Sequence, residues 1–254
     1  SSYSQVDVVY NNLVWSDEFD TNGAVNATKW HHQTQLPAGG SWFNGEVQHY
    51  TNELTNSFVN GGFLNIVAKK EPYTSQGYTK QYTSARLNSK FAFKYGRVDV
   101  RAKLPIAAGT WPAIWMLGKN VNEDGGFFDA AFGTTNWPAC GEIDIMEHKG
   151  NDLNRIYGTL HYPGRSGGNA DGNTKVISNA STEFHIYKVE WTAASIKIYV
   201  DGQIIHTVAN SAAIPFNHEF FLILNVAMGG TFGGAVDPNV TNATMEVDYV
   251  RVSL

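Results

Sequence analysis

The sequence predicts an all-β fold in which antiparallel strands pack as a sandwich. Three observations support this prediction. Hydrophobic and polar residues alternate with a period of two in many short segments, these segments recur along the whole chain, and no window holds a sustained helical repeat. The 254 residues contain no Pro/Ser-rich linker and no internal repeat, so we expect residues 1–254 to form a single domain.

The alternation is clearest in residues 96–104, where Val98, Val100 and Ala102 fall on one face and charged residues on the other. Residues 195–200 alternate in the same way, and the Asp201-Gly202 pair that follows predicts a hairpin turn before a strand at 203–208. The other predicted strands are, in chain order, 63–70, 83–91, 113–117, 142–147, 155–162, 185–191, 220–228 and 244–252. We expect at most one helical turn, around residues 210–214.

Glycine-rich or polar stretches at 37–45, 122–138 and 163–173 predict long loops between these strands. Long loops on a rigid sandwich commonly carry the residues that bind a ligand. We therefore expect a binding site along one face of the sandwich.

Composition excludes several classes of function. The formal net charge is −5 and no Lys/Arg-rich run occurs, which argues against a nucleic-acid partner. No apolar run is long enough to span a membrane, so no membrane partner is expected. Cys140 is the sole cysteine, so no intramolecular disulfide can form. The 7 Trp, 12 Tyr and 14 Phe suit either sugar faces or a sandwich core.

The segment GEIDIMEH, residues 141–148, is the most informative part of the chain. Strict alternation would place Glu142 and Asp144 on one face but Glu147 on the apolar face, where an unpaired charge costs several kcal/mol. A β-bulge near Met146 would turn Glu147 to the same face as the other two acids. Three carboxylates on one face repel each other, and such a cost commonly persists for function.

Glycosidic cleavage with retention of configuration uses such a set of acids. One carboxylate attacks the anomeric carbon and a second protonates the leaving oxygen, at a separation of roughly 5–5.5 Å. A third carboxylate between them would help to separate their pKa values. From spacing alone, a solvated acidic face or a metal site remains as an alternative.

Eight segments in order make the chain resemble glycoside hydrolase family 16. They are 14–20 (VWSDEFD), 44–51 (NGEVQHYT), 83–90 (TSARLNSK), 109–117 (GTWPAIWML), 137–148 (WPACGEIDIMEH), 157–164 (YGTLHYPG), 225–230 (NVAMGG) and 245–252 (MEVDYVRV). The residue inserted before Glu147 is similar to the form in laminarinases and related endo-1,3-β-glucanases. The resemblance implies a β-jelly-roll sandwich of the concanavalin A type with a cleft on its concave face.

The resemblance also implies roles for individual residues. Glu142 is expected as the nucleophile, Glu147 as the general acid/base and Asp144 as the assisting carboxylate. The residues expected to contact substrate are Asn44, Arg86, Trp111, Trp115, Trp137, His161 and Asn225. Among them, His161 is expected near the acid/base, Trp115 at the floor of the cleaved sugar, and Asn44 and Arg86 on the non-reducing side.

A structural calcium on the convex face is a further implication of the resemblance. The matching positions are Glu18, the carbonyl of Gly62 and Asp248, all oxygen donors of the kind that calcium prefers. No organic cofactor is expected. Loop 122–136 has no confident match and, because it precedes the strand at 142–147, is expected to shape the leaving-group end of the cleft.

The sequence thus predicts a secreted, monomeric enzyme that hydrolyses internal β-1,3-glucosidic bonds of laminarin-type glucans. Secretion is inferred from this function, since no signal peptide is seen in the chain. Two alternatives stay open: a family member acting on mixed-linkage glucan or a galactan, and a non-catalytic carbohydrate-binding sandwich. The inserted Met146 and the scattered basic residues argue against the first, and the clustered acids argue against the second.

Overall fold

The computed structural model describes residues 8–254, and the remaining residues of the predicted domain, 1–7, lie outside the described part. The first half of this part contains nine strands: β1 (Leu13–Asp17), β2 (Trp30–His32), β3 (Gln48–Tyr50), β4 (Ser57–Asn60), β5 (Phe63–Ser75), β6 (Tyr78–Ser84), β7 (Arg86–Phe93), β8 (Gly96–Lys103) and β9 (Thr110–Gly118). The second half contains eight: β10 (Glu142–Glu147), β11 (Arg155–His161), β12 (Asp171–Val176), β13 (His185–Trp191), β14 (Ser195–Val200), β15 (Gln203–Ala209), β16 (Phe220–Met228) and β17 (Asn242–Ser253).

These strands form two sheets. One sheet has the order β15-β14-β13-β8-β17-β5-β6-β3, with β1 also pairing with β17 and β4 with β5. The other has the order β12-β11-β10-β9-β16-β7-β2. All these pairs are antiparallel except β3 with β6, so the predicted antiparallel jelly-roll sandwich is confirmed.

The two sheets share one hydrophobic core. Strand β8 buries alternate residues, Val98, Val100 and Ala102, as its sequence pattern predicts. Strand β16 is buried along its whole length, because its second face is also covered. On that face Phe221 and Ile223 join a smaller apolar cluster against which Phe128 packs.

Most predicted strands are present, with several at the predicted bounds. The strands missed by the sequence analysis are β1, β2, β3, β4, β6 and β12. Two of these have only three residues, too few to show a period. The loop predicted at 163–173 ends earlier than expected, since β12 begins at Asp171.

The helical turn expected around 210–214 is wrong, since those residues form turns without a helix. The described residues instead contain two one-turn helices, α1 (Asp129–Phe132) and α2 (Gly230–Gly233), and three-residue 3-10 turns at 43–45 and 167–169. None of these helices is long and apolar enough to cross a membrane.

Candidate active site

A β-bulge in β10 brings the three acids onto one face, as predicted. Asp144 is opposite Trp115 of β9 and Glu147 is opposite Ala113, with a register shift between Asp144 and Met146. The side chains of Ile143, Ile145 and Met146 all belong to the shared core. The extra residue therefore lets these three apolar side chains be buried while Glu147 regains the phase of Glu142 and Asp144.

Two tryptophan N–H groups donate to the two glutamates at the ends of this row. Trp137 Nε1 donates to Glu142 Oε1 at 2.9 Å, and Trp111 Nε1 donates to Glu147 Oε2 at 2.9 Å. Each bond stabilises the ionised form of its carboxylate, because an N–H donor interacts more strongly with an anion than with a neutral acid.

His161 lies at the Glu142 end of the row of acids. Its Nε2 lies 3.0 Å from Asp144 Oδ2 and 3.4 Å from Glu142 Oε2. The resemblance placed this histidine near the acid/base, and that detail is wrong here. Because β11 runs antiparallel to β10, its residue opposite Glu147 is Tyr157, whereas His161 is opposite Glu142.

The hydrogen bond on the other side of the ring assigns the His161 tautomer. The backbone N–H of Gly167 donates to His161 Nδ1 at 3.1 Å, so Nδ1 is an acceptor and Nε2 carries the proton in the neutral ring. Ligand atoms of Glu142, Asp144 and His161 lie within 4.8 Å of one another and could in principle hold a cation. A protonated Nε2 has no lone pair for a metal, so in this tautomer His161 faces the two carboxylates with its N–H, although no hydrogen bond to Asp144 Oδ2 is formed.

The three carboxyl groups cannot all be ionised together. Burial, followed by the charge of Asp144, holds the pKa of Glu142 well above its usual range. Burial and the charge of Glu147 do the same for the pKa of Asp144. Burial, with a further contribution from Glu142, raises the pKa of Glu147 to about 7. The row therefore titrates as a unit that retains protons at neutral pH.

The contacts at the two ends of the row distinguish these acids. Trp137 donates to Glu142, and His161 Nε2 lies 3.4 Å from the same carboxylate, whereas Glu147 accepts from Trp111 and shares a hydrogen bond with Asp144. Glu147, with a pKa of about 7, is suited to hold a proton near neutral pH.

The predicted substrate-contacting residues on the other side of β10 also come together. Trp115 Nε1 donates to Asn225 Oδ1 at 2.7 Å, and the guanidinium carbon of Arg86 lies 4.8 Å from the centroid of the Trp115 ring. Asn44 is exposed, with a positive φ of 63°, in the 3-10 turn 43–45. Trp111, Trp115 and Asn225 are thus arranged along two neighbouring strands, β9 and β16.

Sequence reasoning missed the acid that holds Arg86. Glu123 Oε1 accepts from Arg86 Nη2 at 2.6 Å, and the two side chains are only 13% and 4% exposed. Gln33 joins them, donating to the same Glu123 oxygen at 2.9 Å. No sequence signal could have paired residues 86 and 123, because their contact depends on the path of a loop.

Loop 122–136 packs against β7 and β2, on the side of the cleft that carries Arg86. Besides the ion pair of Glu123, its Phe127 N–H donates to Asn88 on β7 at 3.2 Å, and its Gly125 carbonyl lies 2.8 Å from His31 on β2. The loop leaves β9 and crosses β16 towards β7 and β2 before the chain returns to β10. The expectation that this loop shapes the leaving-group end stays a prediction.

The calcium positions predicted on the other sheet have neighbouring backbones. Strand β17 pairs with the start of β5 up to Val247 and with the end of β1 from Val250 onwards. Asp248 therefore lies beside the segments that carry Glu18 and Gly62.

Both predicted carboxylate ligands, however, have arginine partners. Arg251 donates to Glu18 through Nε and Nη2, and Arg101 donates to Asp248 at 2.8 Å. The oxygen donors suit a hard cation, but calcium would compete with the guanidinium groups for these carboxylates. Calcium binding stays a prediction.

Comparison with known proteins identifies the family of the chain. The family model of glycosyl hydrolases family 16 matches residues 43–251. The chain is 41% identical to glucan endo-1,3-beta-glucosidase A1 of Niallia circulans, over 95% of this chain and 37% of that protein. It is 40% identical to a beta-glucanase of Rhodothermus marinus, over 94% of this chain and 84% of that protein.

A solved structure is similar over nearly the whole chain. A LamA variant from Z. galactanivorans, crystallised with laminaritriose and laminaritetraose, superposes with a TM-score of 0.93 at 48% identity. The match covers 97% of this chain and 100% of that one. The family model, the relatives and the solved structure agree. The chain belongs to glycosyl hydrolases family 16.

Proposed function

We propose that this chain is a retaining endo-1,3-β-glucanase that hydrolyses internal bonds of laminarin-type glucans. The observation that carries the proposal is the row of three acids on one face of β10, with an indole donor at each end. The endo-1,3-glucosidase name of the Niallia relative and the laminari-oligosaccharides bound to the Z. galactanivorans protein support the linkage.

In the first half of the reaction, Glu142 attacks the anomeric carbon while Glu147 gives its proton to the departing glucosidic oxygen. The raised pKa of Glu147, about 7, keeps that proton in place at neutral and mildly acidic pH. Trp137 N–H and His161 Nε2–H stabilise the Glu142 carboxylate and orient it for attack.

In the second half, Glu147 is ionised and removes a proton from water, which displaces Glu142 from the anomeric carbon. Two displacements at the same centre give net retention. Asp144 lies between the two glutamates and assists by exchanging a hydrogen bond as charge moves along the row. No organic cofactor takes part in this scheme.

The substrate lies across the strands, over Trp115 and towards Arg86. The Trp115 indole offers a flat apolar face to a sugar ring, while Arg86 and Asn225 offer polar contacts to its hydroxyl groups. We further propose that the protein acts outside the cell, where such polymers occur, and that it acts as a monomer.

The test is release of new reducing ends from laminarin, mixed-linkage glucan, agarose and carrageenan. Glu142→Ser is measured in parallel, with Glu183→Ser, at an exposed glutamate, as the matched control. We expect strong release from laminarin, at least roughly a thousandfold lower in Glu142→Ser and unchanged in the control. Release from a galactan alone would contradict the substrate, and binding of laminarin without release would favour a carbohydrate-binding protein.

A further inference from the structure

Glu46 is a partly buried acid beside the cleft that the proposed mechanism does not use. It follows the 3-10 turn at 43–45 and forms an isolated β-bridge with Gly229, immediately after β16. A Cβ built on Gly230 would lie 2.9 Å from the Asn44 carbonyl and 3.4 Å from the Glu46 side chain. This close approach fixes the segment that carries Glu46 against the end of β16.

One oxygen of the Glu46 carboxylate is held by the protein. Its Oε1 accepts from Gln48 Nε2 at 3.1 Å and has a longer contact, 3.4 Å, with the Tyr50 hydroxyl. Gln48 is itself fixed, because its amide oxygen accepts the N–H of Met228 at 2.8 Å. Among residues 8–254, no hydrogen bond is found to Glu46 Oε2, although a carboxylate oxygen can accept two.

The same hydrogen-bond chain reaches the floor of the cleft. The Tyr50 hydroxyl accepts from Asn225 Nδ2 at 3.0 Å, and Asn225 Oδ1 accepts from Trp115. Glu46 is thus connected through two buried side chains to the indole on which a sugar is expected to rest. This connection fixes the carboxylate relative to the Trp115 indole.

Glu46 also borders open space. It lines a surface cavity together with Ser41, Tyr78 and Lys80. Burial raises the pKa of Glu46 to about 7, and the Arg86 charge is the largest opposing influence. Because no described donor is bonded to Oε2 and the side chain borders this space, Oε2 is free to accept a hydrogen bond from a bound molecule.

We propose that Glu46 is a further substrate-recognition residue whose Oε2 accepts a hydrogen bond from a hydroxyl group of the bound β-glucan. This inference rests on the proposed function and deepens it. The other oxygen, Oε1, is held by Gln48 and Tyr50 and orients the carboxylate. One oxygen thus contacts the sugar while the other holds the side chain in place.

The test measures binding rather than turnover. Glu142→Ser, which retains the cleft without the nucleophile, is the parent, and laminaritetraose is titrated by calorimetry at about pH 8, where Glu46 is ionised. Glu46→Gln is added to this parent because its amide oxygen can still accept from Gln48 and Tyr50. Glu183→Gln is the matched control, since Glu183 is exposed.

We expect Glu46→Gln to weaken binding about tenfold, because a charge-assisted hydrogen bond becomes a neutral one, with unchanged thermal stability. The control should bind like the parent. If Glu46→Gln fails to fold, Glu46→Asp serves instead, because it keeps the charge but withdraws the oxygen from the sugar. Folded variants that bind like the parent would overturn the proposal.

Two further readouts distinguish direct recognition from an effect of charge and from failure of the proposed function. If Glu46 acted only through the charge it exerts on Glu147, Glu46→Gln would lower the alkaline limb of the activity profile without changing affinity, which would also overturn recognition. If the unaltered chain does not hydrolyse laminarin and the parent does not bind laminaritetraose, the proposed function fails first, and recognition of a β-glucan fails with it.

Discussion

Replacing each of the two indole donors by phenylalanine should move opposite limbs of the pH profile. Trp111→Phe removes the N–H that donates to Glu147 but keeps a ring that packs against Phe232, 5.1 Å away between centroids. Trp137→Phe removes the corresponding donor to Glu142. Each change withdraws a bond that favours the carboxylate, so each raises the pKa of its own glutamate.

The magnitude follows from the strength of a hydrogen bond to a charged group. If the ionised carboxylate loses about 1.5 kcal/mol of stabilisation, its pKa rises by about one unit, because one pKa unit corresponds to about 1.4 kcal/mol. The pKa of Glu147 should therefore move from about 7 to about 8 in Trp111→Phe. An acid that acts in its protonated form then stays active to higher pH, so the alkaline limb moves up. A nucleophile that acts as an anion needs higher pH, so Trp137→Phe moves the acidic limb up.

The assay is kcat/KM on laminarin from about pH 4 to about pH 10, because this ratio reports the ionisations of the free enzyme. Trp15→Phe, at a tryptophan that packs on the shared core, is the matched control and should leave both limbs in place. If Trp111→Phe moved the acidic limb, or Trp137→Phe the alkaline one, the roles of Glu147 and Glu142 would be reversed. If neither limb moved, the indole donors would not set these pKa values.

Three further predictions concern stability. Glu147→Gln should raise the melting temperature by several degrees at pH 8, where the raised pKa costs the folded state up to about 3 kcal/mol. It should have little effect near pH 4, because the cost of ionising Glu147 in the folded state develops only as the pH rises from its ordinary pKa of 4.5 towards about 7. Equal shifts in melting temperature at pH 4 and pH 8 would contradict this. Glu123→Gln should destabilise the fold by about 3 kcal/mol in urea unfolding and raise KM, because it leaves the Arg86 charge buried without its partner. The exposed ion-pair acid Glu219, replaced by Gln, should cost under about 1 kcal/mol, and equal losses would contradict a special role for the buried pair. Millimolar calcium should raise the melting temperature and EDTA should reverse the effect, with Glu18→Gln abolishing the response; an unresponsive unaltered protein would contradict calcium binding.

Local patterns in the sequence were sufficient for the parts of the fold that have a regular period. The bounds of β10 and β16 and the bulge near Met146 follow from alternation and from the cost of burying Glu147 among isoleucines. Short edge strands such as β2 and β3 have too few residues to alternate, and their positions depend on the strands beside them.

The site was predictable to the extent that its residues lie on strands. Glu142, Asp144 and Glu147 could be placed by spacing within one strand, whereas Glu123 and Glu46 lie outside the strands. Their roles depend on which distant residues the chain brings beside them, although Glu46 does lie within the family-like segment 44–51. Arg86 could be identified only through the family resemblance, and its partner Glu123 only from the structure.

The configuration of the first product tests the central claim most directly. Laminarin is hydrolysed in deuterated buffer and the anomeric protons of the new reducing ends are followed by NMR from the first minutes, before mutarotation. Because Glu142 attacks while Glu147 gives and then removes a proton, we expect the β-anomer to be released first and Glu142→Ser to release neither anomer. Initial release of the α-anomer would contradict this mechanism, because a single displacement would then have occurred at the anomeric carbon.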